Sequence, residues 1–537
     1  MTDAPRGDAP ANDPFAEPDD ETMNDARPKP LTVRGVAIVG GRIVIGLVGI
    51  GVAMVAVVGS SVVALPGIRA TPPSIVVTPV PTAQQLVCPG AVLRLADASG
   101  KGATTASAIG RATTRFYSST GSVDSTPLAV TDASTGGTAS APAVISTPPN
   151  QSDPTEQLLL SGAQAQTVTD PDYVGLAAAD CGVAAGDAWL SGGSTSVGRT
   201  TLITLSNPTQ VAATVDLALF GENGPISAPG TSGIVVAPDG QRVLSLAGFQ
   251  PNIVSPVVHV TSTGGQIVAA LQESIVRGLV PGGVDIGGAT AGPSLKNIIP
   301  GLQIGDPTGL QQLASGGVDF ADLGAVLRLF APGSGSVTTT ISLIPEDGKT
   351  IGSSFEYSIE AGRVTDIPIG DLEPGSYTVS VVSPVPLIAS ARVSAAAAPT
   401  PSGPAGPPTT SAPAGAPTTT SPGAPPVATD FAWLASASEL KTRAQLTIAP
   451  GPSPVLHLAN VTTISATAEL AMIGGGTKQV VVPAGSSVLL PVEPGETYQL
   501  TGFESLYAAV TLTDGGFIAR YTIHPPGTAS TPVRVFH

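Results

Sequence analysis

The string GAVLRL occurs twice in this chain, at Gly90–Leu95 and at Gly324–Leu329. Two related strings, TLITLS at Thr201–Ser206 and PVLHLA at Pro454–Ala459, sit in matching contexts. A chain that repeats itself about every hundred residues is built from domain-sized units, and that period governs how each segment within it is understood.

Each of the three later opening strings leads into a segment with the pattern of a strand. Val215, Leu217 and Leu219 alternate with Thr214, Asp216 and Ala218. Val337, Thr339, Ile341 and Leu343 alternate with Thr338, Thr340 and Ser342, and Ala468, Leu470 and Met472 with Thr467 and Glu469. Period two with one dry and one wet face is the mark of a half-buried antiparallel strand. A turn and a further strand come next, as VVAPDGQRVLSL from Val235, SIEAGRVTDIPI from Ser358 and VVPAGSSVLLPV from Val481. Asp-Gly and Ala-Gly suit tight hairpins because glycine accepts positive φ. No long segment has a 3.6-residue period outside one apolar stretch near the N-terminus. The fold class expected is therefore all-β, as tandem immunoglobulin-like β-sandwich modules. A β-propeller is the rival, but its repeats are shorter, about 40–50 residues.

The expected modules are a divergent first one at 80–186, a second at 187–290, a third at 298–395 and a fourth at 429–537. The first contains a Ser/Thr/Gly/Pro-rich insertion near 118–155, expected to be loop. Residues 396–428 are a run of Pro, Thr and Ala that cannot form a core, expected to be an extended linker separating the fourth module from the rest.

Ile43 to Leu65 is an uncharged run of twenty-three residues. At about 1.5 Å per residue it spans a hydrocarbon layer of about 30 Å. Arg27, Lys29, Arg34 and Arg42 precede it and only Arg69 closely follows. The positive-inside rule then makes residues 35–66 a single transmembrane anchor held by membrane lipid, with an acidic disordered cytoplasmic tail at 1–34 and the bulk of the chain outside the cell membrane. A cleaved signal peptide is the competing reading, but it calls for a shorter apolar region and a small-x-small site.

Charged residues make up only 12% of the chain and the formal net charge is -16, which argues against a nucleic-acid partner, since that needs a basic face. The two cysteines, Cys88 and Cys181, both lie beyond the apolar segment, where an oxidising compartment lets them pair as a disulfide. Only four histidines exist: His259, His457, His524 and His537. His457 shares a slot with Arg94, Thr204 and Arg328, an outward strand position where a solvated residue is expected. His259 aligns with Val379 and Val510, an inward slot, and is expected to be a hydrogen-bonded core or edge residue. Trp189 and Trp433 both stand in AWL ahead of a repeated strand, where packing across a module end is expected. Asp170, Asp172 and Asp180 offer oxygen ligands for calcium, but Asp-Pro pairs are more often turns. Glu346, Asp347 and Gly348 form a turn by the same reasoning. No zinc spacing, G-x-S-x-G elbow or H-E-x-x-H is present. No catalytic, cofactor-binding or metal-binding residue is assigned, and no cofactor is expected.

The stretch AWLSGGSTSVGRTTLITLSNPTQVAATVDLALFGENGPISAPGTSGIVVAPDGQRVLSLAGF, continuing into SPVVHVTSTGGQIVAALQESIVRGLVPGGVDI, resembles an uncharacterised actinobacterial family of membrane-anchored, exported, β-rich proteins. The resemblance is strongest over about 185–290. It implies no activity, so it carries over no functional residue. Proteins of this kind tend to be encoded near large membrane glycosyltransferases, which implies a role in building the cell envelope. The function expected is a non-enzymatic, membrane-anchored extracytoplasmic scaffold or accessory protein, with an envelope enzyme or wall polymer as partner. The alternative is a sensory or wall-polymer-binding ectodomain.

Overall fold

The alternation of the three later repeats is expressed as strands with one buried face. In the computed structural model Val215, Leu217 and Leu219 are buried along Ala213–Gly221, as are Val337, Thr339, Ile341 and Leu343 along Gly335–Pro345. The structure describes residues 83–95, 105–134, 140–149, 158–305, 307–314, 322–348, 352–370, 372–397 and 429–526, the strands Ser74–Val77 and Val533–Phe536, and a few isolated positions. The tail 1–34 and the apolar segment 35–66 lie outside the described residues except at isolated positions. Among the described residues no helix is long and apolar enough to cross a membrane. The chain is all-β, and Val76–Arg534 forms one compact unit.

Within that unit the second, third and fourth modules share one pairing scheme. Each has a long excursion of chain that serves two sheets: Val257–Gly264 with Val268–Arg277, then Gly375–Ala396, then Thr497–Asp514. Its first half pairs with an opening strand on one side (Asp187–Ser191, Ser294–Ile304, Leu440–Thr447) and with the alternating strand on the other. Its second half pairs with the GAVLRL-type strand and with a closing strand. The closing strands are Val280–Gly288, Thr429–Ala435 and Phe517–Thr522. All these pairings are antiparallel, and the chain curls from one sheet into the next.

This scheme corrects the expected boundary between the third and fourth modules. Thr429–Ala435 pairs with the end of Gly375–Ala396, in a register that sets Ala396 opposite Thr429. Residues 397–428 therefore connect the two arms of a hairpin inside the third module. In the second module the same hairpin turns at Gly278, which has positive φ. Composition could not distinguish the two cases, because a Pro-rich run marks any solvent-facing connection, whether between domains or between paired strands.

The first module departs from the scheme, and the insertion expected as loop contains strands. Asp124–Pro127 and Ala143–Thr147 pair with each other, and Ala143–Thr147 also pairs with Gln84–Cys88. The module has a small core of its own around Leu86, Ile145 and the two cysteines, and it shares further apolar side chains with its neighbours. Ala163, Ala165, Leu176 and Ala178 belong to the core of the fourth module, whereas Leu93 and Ala106 pack with Leu202 and Val243 of the second.

The four modules close on one another, where a string of separate units was expected. Thr378 of the third module meets Ser487 of the fourth through their hydroxyls, 2.8 Å apart. Ser191 of the second meets Ser390 of the third at 2.7 Å. The circuit closes where Ser161 of the first meets Thr447 of the fourth, also at 2.7 Å. At its centre lie Val174–Asp180 of the first module and the three closing strands.

Candidate functional site

The centre is held by one carboxylate. Asp430, fully buried in Thr429–Ala435, accepts backbone N–H bonds from Leu176 of the first module (2.8 Å), Val284 of the second (3.2 Å) and Ile518 of the fourth (3.1 Å). Three modules thus donate to an acid of the remaining one. Burial raises its pKa well above the usual carboxylate range, and the backbone donors, which favour the ionised form, only partly oppose this. Gly175 and Gly283 leave room for it: a Cβ on either would lie 2.6 Å from Asp430 Oδ1.

Further charges line the seams. Asp285 accepts from the Trp433 backbone N–H (2.7 Å), and burial pushes its pKa up to about 8. Glu273 accepts from Trp433 Nε1 at 2.6 Å, and burial raises its pKa too. The Trp433 ring lies 4.3 Å from the Arg328 guanidinium, a cation–π contact away from water. Arg328 in turn holds Asp366 in a fork at 2.8 and 2.9 Å, and donates to the Gly193, Pro256 and Val254 carbonyls of the second module. Burial pushes Asp366 up, but the Arg328 charge together with the hydrogen bonds from Arg328 and Ser255 and the charge of Arg392 outweighs it, and the net shift is downward. Arg520 donates to the Pro300 and Ala435 carbonyls of the third module; burial lowers its pKa to about 9, so it remains a cation at neutral pH.

His457 corrects the reading of its slot. It is fully buried, with Nδ1 2.5 Å from Glu346 Oε2 and Nε2 2.8 Å from Thr511 Oγ1. Glu346 lies in the expected turn, but its side chain is buried and also accepts from Gly301 N–H and the Thr378 hydroxyl. Burial raises the Glu346 pKa, yet the facing imidazole and the hydrogen bonds from Thr378 and Gly301 together outweigh it, and the net shift is downward. Thr204 and Arg328 in the matching slots are also buried. The outward face of these strands is wet in an isolated module and dry once the preceding module covers it.

The remaining residues singled out in the sequence have structural partners. Val258 and Val260, not His259, face the core of the second module; His259 turns to the other face, stacks on Trp189 at 4.0 Å and meets Asp187 at 2.6 Å. Trp189 packs with Phe330, Val364 and Ile388 of the third module, and Trp433 reaches back to the second, so both tryptophans bridge modules. Cys88 and Cys181 form the disulfide, with an S–S distance of 2.02 Å. Asp170 pairs with Arg94 and accepts the Asp172 N–H, whereas Asp180 pairs with His524, so the three acids do not converge. Among the described residues no group of three or more His, Cys, Asp or Glu is placed to hold a metal. His537 lies outside the described residues.

Two sizeable cavities open on this framework. One, of about 430 Å³, lies where the first, second and fourth modules meet, and Asp180, Cys181, Gln266, Gln445 and His524 are part of its lining. The other, of about 470 Å³, lies in the third module beside the helix Pro307–Ala314, with Leu310, Leu323, Ile369 and Val393 in its walls.

A model of a family of unknown function (DUF5719) matches residues 130–493, about two thirds of the chain. No curated protein matches it.

Proposed function

We propose a non-enzymatic role for this chain, which belongs to the DUF5719 family: a membrane-anchored extracytoplasmic scaffold or accessory protein of the cell envelope. Residues 35–66 are its anchor, and each repeat is an immunoglobulin-like sandwich. The observation that carries the reading is the use made of the buried ionisable groups. Asp430, Arg328, Arg520, His457 and Glu346 are each engaged across a seam between modules, by backbone donors, carbonyls or an opposite charge. Groups occupied in this way fix one module against the next, as a rigid docking body requires. The likeness of 185–290 to exported proteins encoded beside membrane glycosyltransferases points to such an enzyme as the partner.

The test is affinity purification of the intact protein from gently solubilised membranes of its own host, followed by mass spectrometry. A stoichiometric membrane enzyme is the expected result. Recovery of wall material with no protein partner would overturn the accessory role.

A further inference from the structure

We propose that the cleft where the first, second and fourth modules meet binds an uncharged, hydroxyl-rich ligand, a segment of neutral glycan. Its volume of about 430 Å³ falls in the range of small-molecule sites, roughly 300–1,000 Å³. Its lining mixes apolar surface with neutral hydrogen-bonding groups. Ser161, Thr447, Thr522 and Gln445 are buried there, and Gln85 and Gln266 stand exposed at the rim. Amides and hydroxyls both donate and accept, which matches the mixed demands of sugar hydroxyls.

Gln445 carries an unsatisfied acceptor of the lining. Its Nε2 donates to the Tyr117 carbonyl (2.9 Å), the Leu159 carbonyl (3.2 Å) and Ser161 Oγ (3.1 Å), which fixes the amide in place. Its Oε1 is buried and has no partner among the described residues. An unsatisfied acceptor within the lining favours a ligand that carries hydroxyl donors.

The charge pattern selects against acids. Among the described residues no Lys or Arg lines the cleft, and the carboxylate and imidazole that do, Asp180 and His524, face each other at 2.5 Å. An anionic polymer would meet the Asp180 carboxylate with no cation left to balance it. Val183, Pro208 and Pro525 add an apolar wall suited to the C–H face of a sugar ring.

Glycan binding goes beyond the scaffold role and fails separately from it: a chain that captures no enzyme but binds glycan retains one and loses the other. The test is saturation-transfer NMR on the purified full chain. The probes are linear neutral oligosaccharides of glucose, galactose, mannose and arabinose, with an oligo-uronate of equal length. The expected result is transfer to at least one neutral oligomer and none to the uronate. The Gln85→Ala/Gln266→Ala variant, altered only at exposed amides, should keep its melting temperature and bind about tenfold more weakly. Absence of transfer across the neutral panel, equal transfer to the uronate, or unchanged binding by the double variant would each overturn the proposal.

Discussion

A Cβ placed on Gly283 would lie 2.6 Å from the Oδ1 of Asp430, so the glycine of one module and the acid of another define each other's space. Gly283 also holds φ at 122°, a conformation that L side chains rarely adopt. Gly283→Ala should therefore destabilise the whole unit by roughly 2–4 kcal/mol, combining backbone strain with displacement of the acid. Asp430→Asn should do similar damage, because an amide N–H would face backbone N–H groups. Urea midpoints check both. An unchanged midpoint for either would show that the centre adapts and that Asp430 does not fix it.

The buried acids give the protein a pH signature. Asp285 has a folded pKa of about 8, well above its unfolded value. It binds its proton more tightly when folded, so its contribution is complete below about pH 4 and is lost as pH rises towards 8. His524 acts in the same direction: the facing Asp180 raises its pKa, so its contribution is present at low pH and disappears as pH rises through the folded value. Glu346 and Asp366, both depressed, contribute above about pH 4 and lose that contribution below it. Denaturation at pH 5, 7 and 9 should show falling stability, and Asp285→Asn should flatten the slope, which for one group is at most ~1.4 kcal/mol per pH unit. An identical slope in the variant would mean that Asp285 is ionised throughout.

His457 and Glu346 form a buried pair across the seam of the third and fourth modules. His457→Ala leaves the buried carboxylate without its imidazole partner and should cost about 3–5 kcal/mol. The double change with Glu346→Gln should cost less than the sum of the two single changes, as a double-mutant cycle would measure. Strict additivity would show that the two groups are not coupled.

How much of this was legible in the sequence depends on whether a feature is local or lies between modules. The alternation at Val337–Leu343 reports burial within one sheet, and it was readable because a strand's two faces differ in its own residues. The burial of His457 and Arg328 depends on a different module covering their strand, and nothing within PVLHLA or GAVLRL records that. One signal was available: an acid stands in TDFAWLA, an otherwise apolar strand, and an isolated carboxylate among apolar residues points to a specific internal partner. The pocket seam was not readable, because Ser161 and Gln445 meet only when the circuit of modules closes. The disulfide was readable because a chain with two cysteines leaves a single pairing.

That disulfide has a particular task. It closes a separation of 93 residues within the module that shares its core with both neighbours. Cys88→Ser/Cys181→Ser should lower stability by about 2–5 kcal/mol and should loosen the first module before the others. Hydrogen exchange resolved by mass spectrometry checks this. Uniform loss of protection across all four modules would indicate that the circuit unfolds as one.

The hairpin that contains residues 397–428 leads to the sharpest contrast with a linker. Ala396 and Thr429 are paired, so the ends of the segment are neighbours whatever its length. Replacing residues 398–427 with a turn of about four residues should leave the fold intact. Loop closure becomes easier by about 0.6 kcal/mol for each halving of length, so stability should rise by up to about 2 kcal/mol. Had the segment joined two separate modules, the same shortening would drag the fourth module from its seat, unpair Ser161 from Thr447 and lower the melting temperature. Thermal unfolding of the shortened chain decides between the two, and a fall of several degrees would mean that Thr429–Ala435 does not close the third module.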